Sequence, residues 1–255
     1  PEDPRKIQLR EILPGANCGG CGYSGCDAYA EAVAAGAAAI DICHVGGDKT
    51  AAELGAIMGI SAVPQARRTA VVMCRGDSVA CPPRFVYDGP ATCRVASLAA
   101  DGYKGCRYAC LGFGDCEAHC PFGAIHVAED GRAHVDISKC TGCGVCVNAC
   151  PRGVLKLLPA EHAVHRKCSA MERGKTVRDV CTAGCIGCGK CALSCKFDAI
   201  RMENNLPVID LEACRGCMQC ADNCPTGALK ANEIYRRRAI IRVDQCTGCG
   251  KCKEA

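Results

Sequence analysis

The 255-residue chain has no Trp and only four Phe, and aromatic residues make up 4% of it. So few large rings leave an ordinary apolar core thin, and something other than side-chain packing must organise the fold. No apolar run reaches the roughly 18–20 residues that cross a bilayer, and no secretory leader is visible. A nucleotide-binding loop is also missing: Gly19, Gly20, Gly22 and Gly25 stand among cysteines rather than between a strand and a helix. With no general acid–base constellation, chemistry at bound carbon is not expected.

What the sequence does have is cysteine, 28 in all. Disulfide scaffolds are mostly short secreted chains with dispersed cysteines, and structural zinc usually takes two C-x2-C doublets across a longer loop. Here the cysteines recur as C-x2-C-x2-C runs closed by a fourth cysteine, the pattern that ligates [4Fe–4S] clusters in a reducing compartment. The formal charge is +4. Four thiolates round an oxidised cubane leave about −2 per site, so five filled sites bring the chain to roughly −6. Nucleic acid is therefore not an expected partner.

Residues 1–60 read as a small helical unit with Cys18, Cys21, Cys26 and Cys43 as ligands to one cluster. Asp27 opens an alanine-rich helix over Ala28–Ala35 closed by Gly36, and a second helix is expected over Thr50–Met58. Residues 61–92, with Pro64, read as a linker and pre-module segment.

The rest of the chain repeats. Cys93, Cys106, Cys110, Cys116 and Cys120 recur 75 residues later as Cys168, Cys181, Cys185, Cys191 and Cys195; Cys140, Cys143, Cys146 and Cys150 recur 74 later as Cys214, Cys217, Cys220 and Cys224. Residues 93–160 and 161–232 are thus two duplicated modules, and 233–255 begin a third with Cys246, Cys249 and Cys252, whose fourth cysteine would fall beyond Ala255. Short strands are expected before several motifs, over Ala133–Ile137, Pro207–Leu211 and Ala239–Val243. The fold class is α+β: a helical four-cysteine domain, then tandem 2[4Fe–4S] bacterial ferredoxin-like modules.

In such modules the fourth cysteine of each motif crosses to the other cluster. On that rule Cys140, Cys143 and Cys146 take Cys120, Cys214, Cys217 and Cys220 take Cys195, and Cys185, Cys188 and Cys191 take Cys224. Phe113 occupies the position equivalent to Cys188, so Cys110, Cys116 and Cys150 need another ligand. Cys106 is the nearest spare thiol and the expected fourth, with a three-iron cluster as the alternative. That makes at least five [4Fe–4S] clusters, and a sixth if the chain continues. Cys74, Cys81 and Cys93 form a candidate extra site, but the leading reading of these three, with Cys168 and Cys181, is of structural thiols beside clusters. The six histidines, His44 and His119 among them, are expected to hydrogen-bond rather than ligate, and Arg236–Arg238 to form a solvated face.

The stretch Leu13–Cys26 with Cys43 resembles the four-cysteine domain of corrinoid proteins and of the Rnf B subunit. Followed by tandem ferredoxin modules, with Cys181-Thr182-Ala183-Gly184-Cys185-Ile186-Gly187-Cys188 opening the second, the order is similar to the Rnf B subunit over nearly the whole chain. No large barrel domain accompanies it, as a corrinoid enzyme would require. The resemblance implies an electron-transfer subunit of a membrane-bound, ion-translocating ferredoxin:NAD oxidoreductase, with no substrate-converting site of its own. It implies ferredoxin as redox partner and membrane subunits that carry flavin, Fe–S and NAD sites. It further implies a place at the cytoplasmic face of the bacterial inner membrane, with an anchor helix ahead of Pro1. A soluble polyferredoxin serving a dehydrogenase or disulfide reductase is the alternative from a different class.

Overall fold

The computed structural model describes residues 3–232, 235 and 243–250. Its first unit is three helices: α1 (Pro4–Ile12), α2 (Cys26–Ala34) and α3 (Gly47–Met58). Asp3 caps α1 by accepting the Arg5 N–H, and Pro4 fits the first turn, where no N–H is needed. Gly59 closes α3 in the left-handed region that favours glycine. The apolar faces meet in one cluster, Leu9, Leu13, Tyr29, Ala30, Val33, Ile40 and Leu54. Tyr29 reaches across it to donate its hydroxyl to the Ala39 carbonyl at 2.7 Å. Both helices begin earlier than expected from sequence. The α2 helix starts at Cys26, with extended Gly25 as its cap, and α3 starts at Gly47.

Two ferredoxin-like halves follow. The first runs β1 (Arg68–Val72), α4 (Cys93–Leu98), α5 (Asp115–Ala118), β2 (Ile125–Val127), β3 (Ala133–Val135), α6 (Val145–Ala149) and β4 (Leu155–Pro159). The second runs β5 (Val164–Arg166), α7 (Lys175–Val180), α8 (Lys190–Leu193), β6 (Ile200–Glu203), β7 (Leu206–Ile209), α9 (Gln219–Asp222) and β8 (Leu229–Ala231). Each half holds two antiparallel two-stranded ribbons, β1 with β4 and β2 with β3, then β5 with β8 and β6 with β7. Ribbons this small are marginal alone, and here cysteine-lined interiors replace much of a hydrocarbon core. The largest buried cluster mixes Val72, Ile125, Val154 and Leu155 with seven cysteines.

The segment 61–92 is more than a linker, because it supplies β1, the partner of β4 in full register from Arg68↔Pro159 to Val72↔Leu155. Of the expected strands, β3 and β7 are present in slightly shifted form. The expected strand at Ala239–Val243 and the Arg236–Arg238 run lie outside the described residues, apart from Val243, which opens a short 3₁₀ turn. Among the described residues no helix is long and apolar enough to cross a membrane.

Candidate metal centres

Glycines and short helices bend the chain so that cysteines far apart in sequence line common cavities. The first is lined by Cys18, Cys21, Cys26 and Cys43, and by His44. The Asn17 side-chain oxygen accepts the Cys26 N–H at 2.8 Å and fixes the loop that carries the first three thiols. Burial pushes the Cys43 thiol up, countered in part by N–H bonds from Gly46 and Val45. Cys143 of the first module also lines this cavity, and at Gly20 a Cβ would collide with the Cys143 carbonyl oxygen.

A second cavity is lined by Cys120, Cys140, Cys143 and Cys146, the set that crossed ligation requires. The Ala70 and Ala124 N–H groups each donate to a sulfur here, Cys140 and Cys120, at 3.4 Å. Burial and the neighbouring thiolates push Cys146 up to about 12. Four thiols this close cannot all ionise unless a cation centre takes up their charge, which suits an iron–sulfur core.

The third cavity does not include Cys106. It is lined by Cys110, Cys116, Cys150 and Cys93. Phe113 turns away into an aromatic cluster, its ring 5.4 Å from both Tyr87 and Tyr103. The start of α4 brings Cys93 to this cavity, because the Asp115 carboxylate accepts the N–H groups of Cys93 and Arg94 at 2.8 and 3.0 Å and ties that helix to α5, which bears Cys116. Cys93 therefore stands apart from Cys74 and Cys81, and the expected grouping of those three is not what the fold brings together.

Cys74 and Cys81 instead line a fourth cavity with Cys106, Cys168 and Cys181. By place in the fold, Cys168 corresponds to Cys74 rather than Cys93, since each lies two residues past a strand, β5 or β1, that pairs with the last strand of its module. In the second module Cys191 lies within electrostatic reach of Cys224 and Cys188, and Cys185 of Cys191 and Cys224. Cys220 is similarly placed toward Cys214, Cys217 and Cys195. Cys246 and Cys249 are exposed, and Cys252 lies outside the described residues.

No disulfide joins any of the described cysteines, and no group of His, Cys, Asp or Glu among the described residues is drawn together as if round a metal ion. The thiols surround volumes instead. His119, His134 and His162 bond to the Asp115 carbonyl, the Asp130 carboxylate and the Val164 carbonyl.

Comparison with known proteins agrees with this layout. Residues 13–45 match the model of an Fe-S cluster family, and residues 106–154 and 184–228 match the 4Fe-4S dicluster domain. The chain is 47% identical to the B subunit of the Na(+)-translocating ferredoxin:NAD(+) oxidoreductase complex of Acetobacterium woodii, over 95% of this chain and 73% of that one. It belongs to the family of Rnf B subunits. Other members are the B subunit of the ion-translocating oxidoreductase complex of Methanosarcina acetivorans, 42% identical over 89% and 86% of the two chains, and that of the proton-translocating ferredoxin:NAD(+) oxidoreductase complex of Clostridium ljungdahlii, 43% identical over 88% and 80%. Along this chain the Fe-S cluster match comes first and the dicluster matches follow.

Proposed function

We propose that this chain relays electrons singly from reduced ferredoxin, through a row of [4Fe–4S] clusters, to the membrane subunits of an ion-translocating ferredoxin:NAD oxidoreductase complex. The observation that carries the reading is the contiguity of the thiol-lined cavities. Cys143 lines both the amino-terminal cavity and the next one, and the thiol of Cys116, in the third, lies close enough to Cys146, in the second, to raise its own pKa. Transfer between clusters needs short gaps and little rearrangement, and shared walls provide both. The proposed sets are Cys18/Cys21/Cys26/Cys43, Cys120/Cys140/Cys143/Cys146, Cys93/Cys110/Cys116/Cys150, Cys185/Cys188/Cys191/Cys224 and Cys195/Cys214/Cys217/Cys220. Bound clusters supply one-electron redox chemistry, while the chain's own residues hold the thiolates, exclude water and direct N–H groups at sulfur.

The site of action is the cytoplasmic face of the bacterial inner membrane, beside subunits that carry flavin and NAD. The modules face ferredoxin and the Cys18/Cys21/Cys26/Cys43 cluster faces the membrane partners. Replacing Cys18 by Ser in the assembled complex is expected to leave the modules reducible by ferredoxin while NAD reduction and ion transport in vesicles stop. Full NAD-linked transport with that site demonstrably empty would overturn this route.

A further inference from the structure

We infer that the cavity between the two modules holds a further [4Fe–4S] cluster, ligated by Cys74, Cys106, Cys168 and Cys181, which joins the halves into one continuous electron path. The inference rests on the reading of the cysteine motifs as iron–sulfur sites and adds a centre that no motif encodes.

Four observations converge on it. These thiols are two pairs of equivalents, one member from each half: Cys74 and Cys168 follow β1 and β5, while Cys106 and Cys181 stand four residues before Cys110 and Cys185. All four sulfurs accept an N–H from two residues on, contributed by Gly76, Tyr108, Ala170 and Ala183. The same local turn directs the Val145 and Gly187 N–H groups at Cys143 and Cys185 in the regular motifs. Cys81, the fifth thiol of the cavity, lacks that turn; its sulfur accepts from the Cys106 N–H at 3.4 Å.

Second, the backbone approaches the sulfurs closely at Gly76, where no side chain fits. A Cβ at Gly76 would sit 2.8 Å from the Cys81 Cβ and 3.5 and 3.6 Å from the sulfurs of Cys181 and Cys74. Third, cations flank it and no carboxylate lines it. Lys104, 2% exposed, donates its ammonium to the carbonyls of Gly76 and Gly131 at 3.2 and 2.8 Å, Lys167 lines the wall, and Arg75 beside it bonds the carbonyls of Thr226 and Gly227. A buried cation is costly unless negative charge lies near it, and four thiolates round a cubane would supply that charge.

Fourth, the site touches both neighbours. The Cys110 N–H donates to the Cys74 sulfur at 3.4 Å, and the Cys185 N–H donates to the Cys168 sulfur at 3.2 Å. An electron entering from ferredoxin would reduce one cluster, and that cluster, on reducing the next, would return to its oxidised form. Two such passages would deliver the two electrons that, with one proton, convert NAD(+) to NADH, so the steps balance. Without the central cluster the two modules would be separate carriers.

The test is iron, acid-labile sulfide and low-temperature magnetic resonance of the anaerobic full chain, wild type against the Cys106→Ser/Cys181→Ser double variant. That variant leaves three thiols in the cavity. The expected result is a loss of about four irons per chain with the other cluster signals intact, or conversion of one cluster to a three-iron form. Cys81→Ser is expected to keep full iron. A second variant guards against misfolding: Lys104→Met should shift one cluster potential, and only one, downward, because removing a nearby positive charge disfavours the reduced, more negative state. Unchanged iron in the double variant, unshifted potentials in Lys104→Met, or a Cys81–Cys181 disulfide in the iron-loaded wild type would overturn the inference. Loss of iron in Cys81→Ser with retention in Cys168→Ser would overturn the ligand set. Failure of the underlying reading would look different, with zinc or no iron in wild type.

Discussion

At the scale of single residues the decisive position is Cys93. Phe113 stands where the first module's standard ligand would be, and the start of α4 brings the Cys93 thiol to the same cavity, its N–H held by Asp115. Cys93→Ser is therefore expected to destroy or convert one cluster, with loss of one to four irons, read as iron content and magnetic resonance; survival of every signal would return the site to the three-iron alternative. Asp115→Asn keeps one carbonyl oxygen for the two N–H groups and should weaken that cluster without abolishing it. Gly20 is a second sensitive point. Its Cβ would collide with the Cys143 carbonyl, so Gly20→Ala should cost about 1–3 kcal/mol by overpacking and loosen the amino-terminal unit from the first module. Faster proteolysis between residues 60 and 68 would show this. The crossed ligand sets can be proposed from the sequence because they follow from spacing. The meeting of Cys93 with Cys110, Cys116 and Cys150 in one cavity was not legible, since sequence distance favoured Cys106 while the contact that holds the start of α4 is a carboxylate 22 residues away.

At the scale of elements, β5 offers a pH dependence. His165 is buried, its Nδ1 has no partner, and burial with the Lys167 charge beside it pushes the imidazole down to about 4. The unfolded chain binds this proton near pH 6.5 while the folded one does not, so stability is full above about 6.5 and falls as the pH drops toward 4, by about 2–3 kcal/mol. Denaturant unfolding of the β5–β8 ribbon region, followed from pH 7.5 to 4.5, should show that slope, and His165→Gln should flatten it; an equal slope in both proteins would rule the histidine out. Sequence periodicity found helices α2 and α3 and strands β3 and β7 to within a few residues. It missed β1, because a strand whose partner β4 lies more than 80 residues on leaves no local pattern to distinguish it from a linker.

At the scale of the whole molecule, the duplication and the four-cysteine domain were readable from the chain, and the relatives place it in the family of Rnf B subunits. The site between the modules was not readable, because Cys74, Cys106, Cys168 and Cys181 meet only once both halves have folded and packed. The chain's thin aromatic content now has a physical counterpart: its interiors are walls of thiols, so the clusters stabilise the fold they occupy. Chelating the iron should unfold the modules cooperatively, with loss of far-ultraviolet circular dichroism alongside the cluster absorbance, whereas a fold that survives intact would show that packing alone suffices.

The central claim, a chain organised round a series of [4Fe–4S] clusters, is tested most directly by counting metal and labile sulfide in anaerobically prepared full-length protein. The five regular sets alone require about 20 irons and as many sulfides per chain, and the site between the modules brings both to about 24. Zinc in place of iron, or fewer than about 12 irons after careful reconstitution, would contradict it.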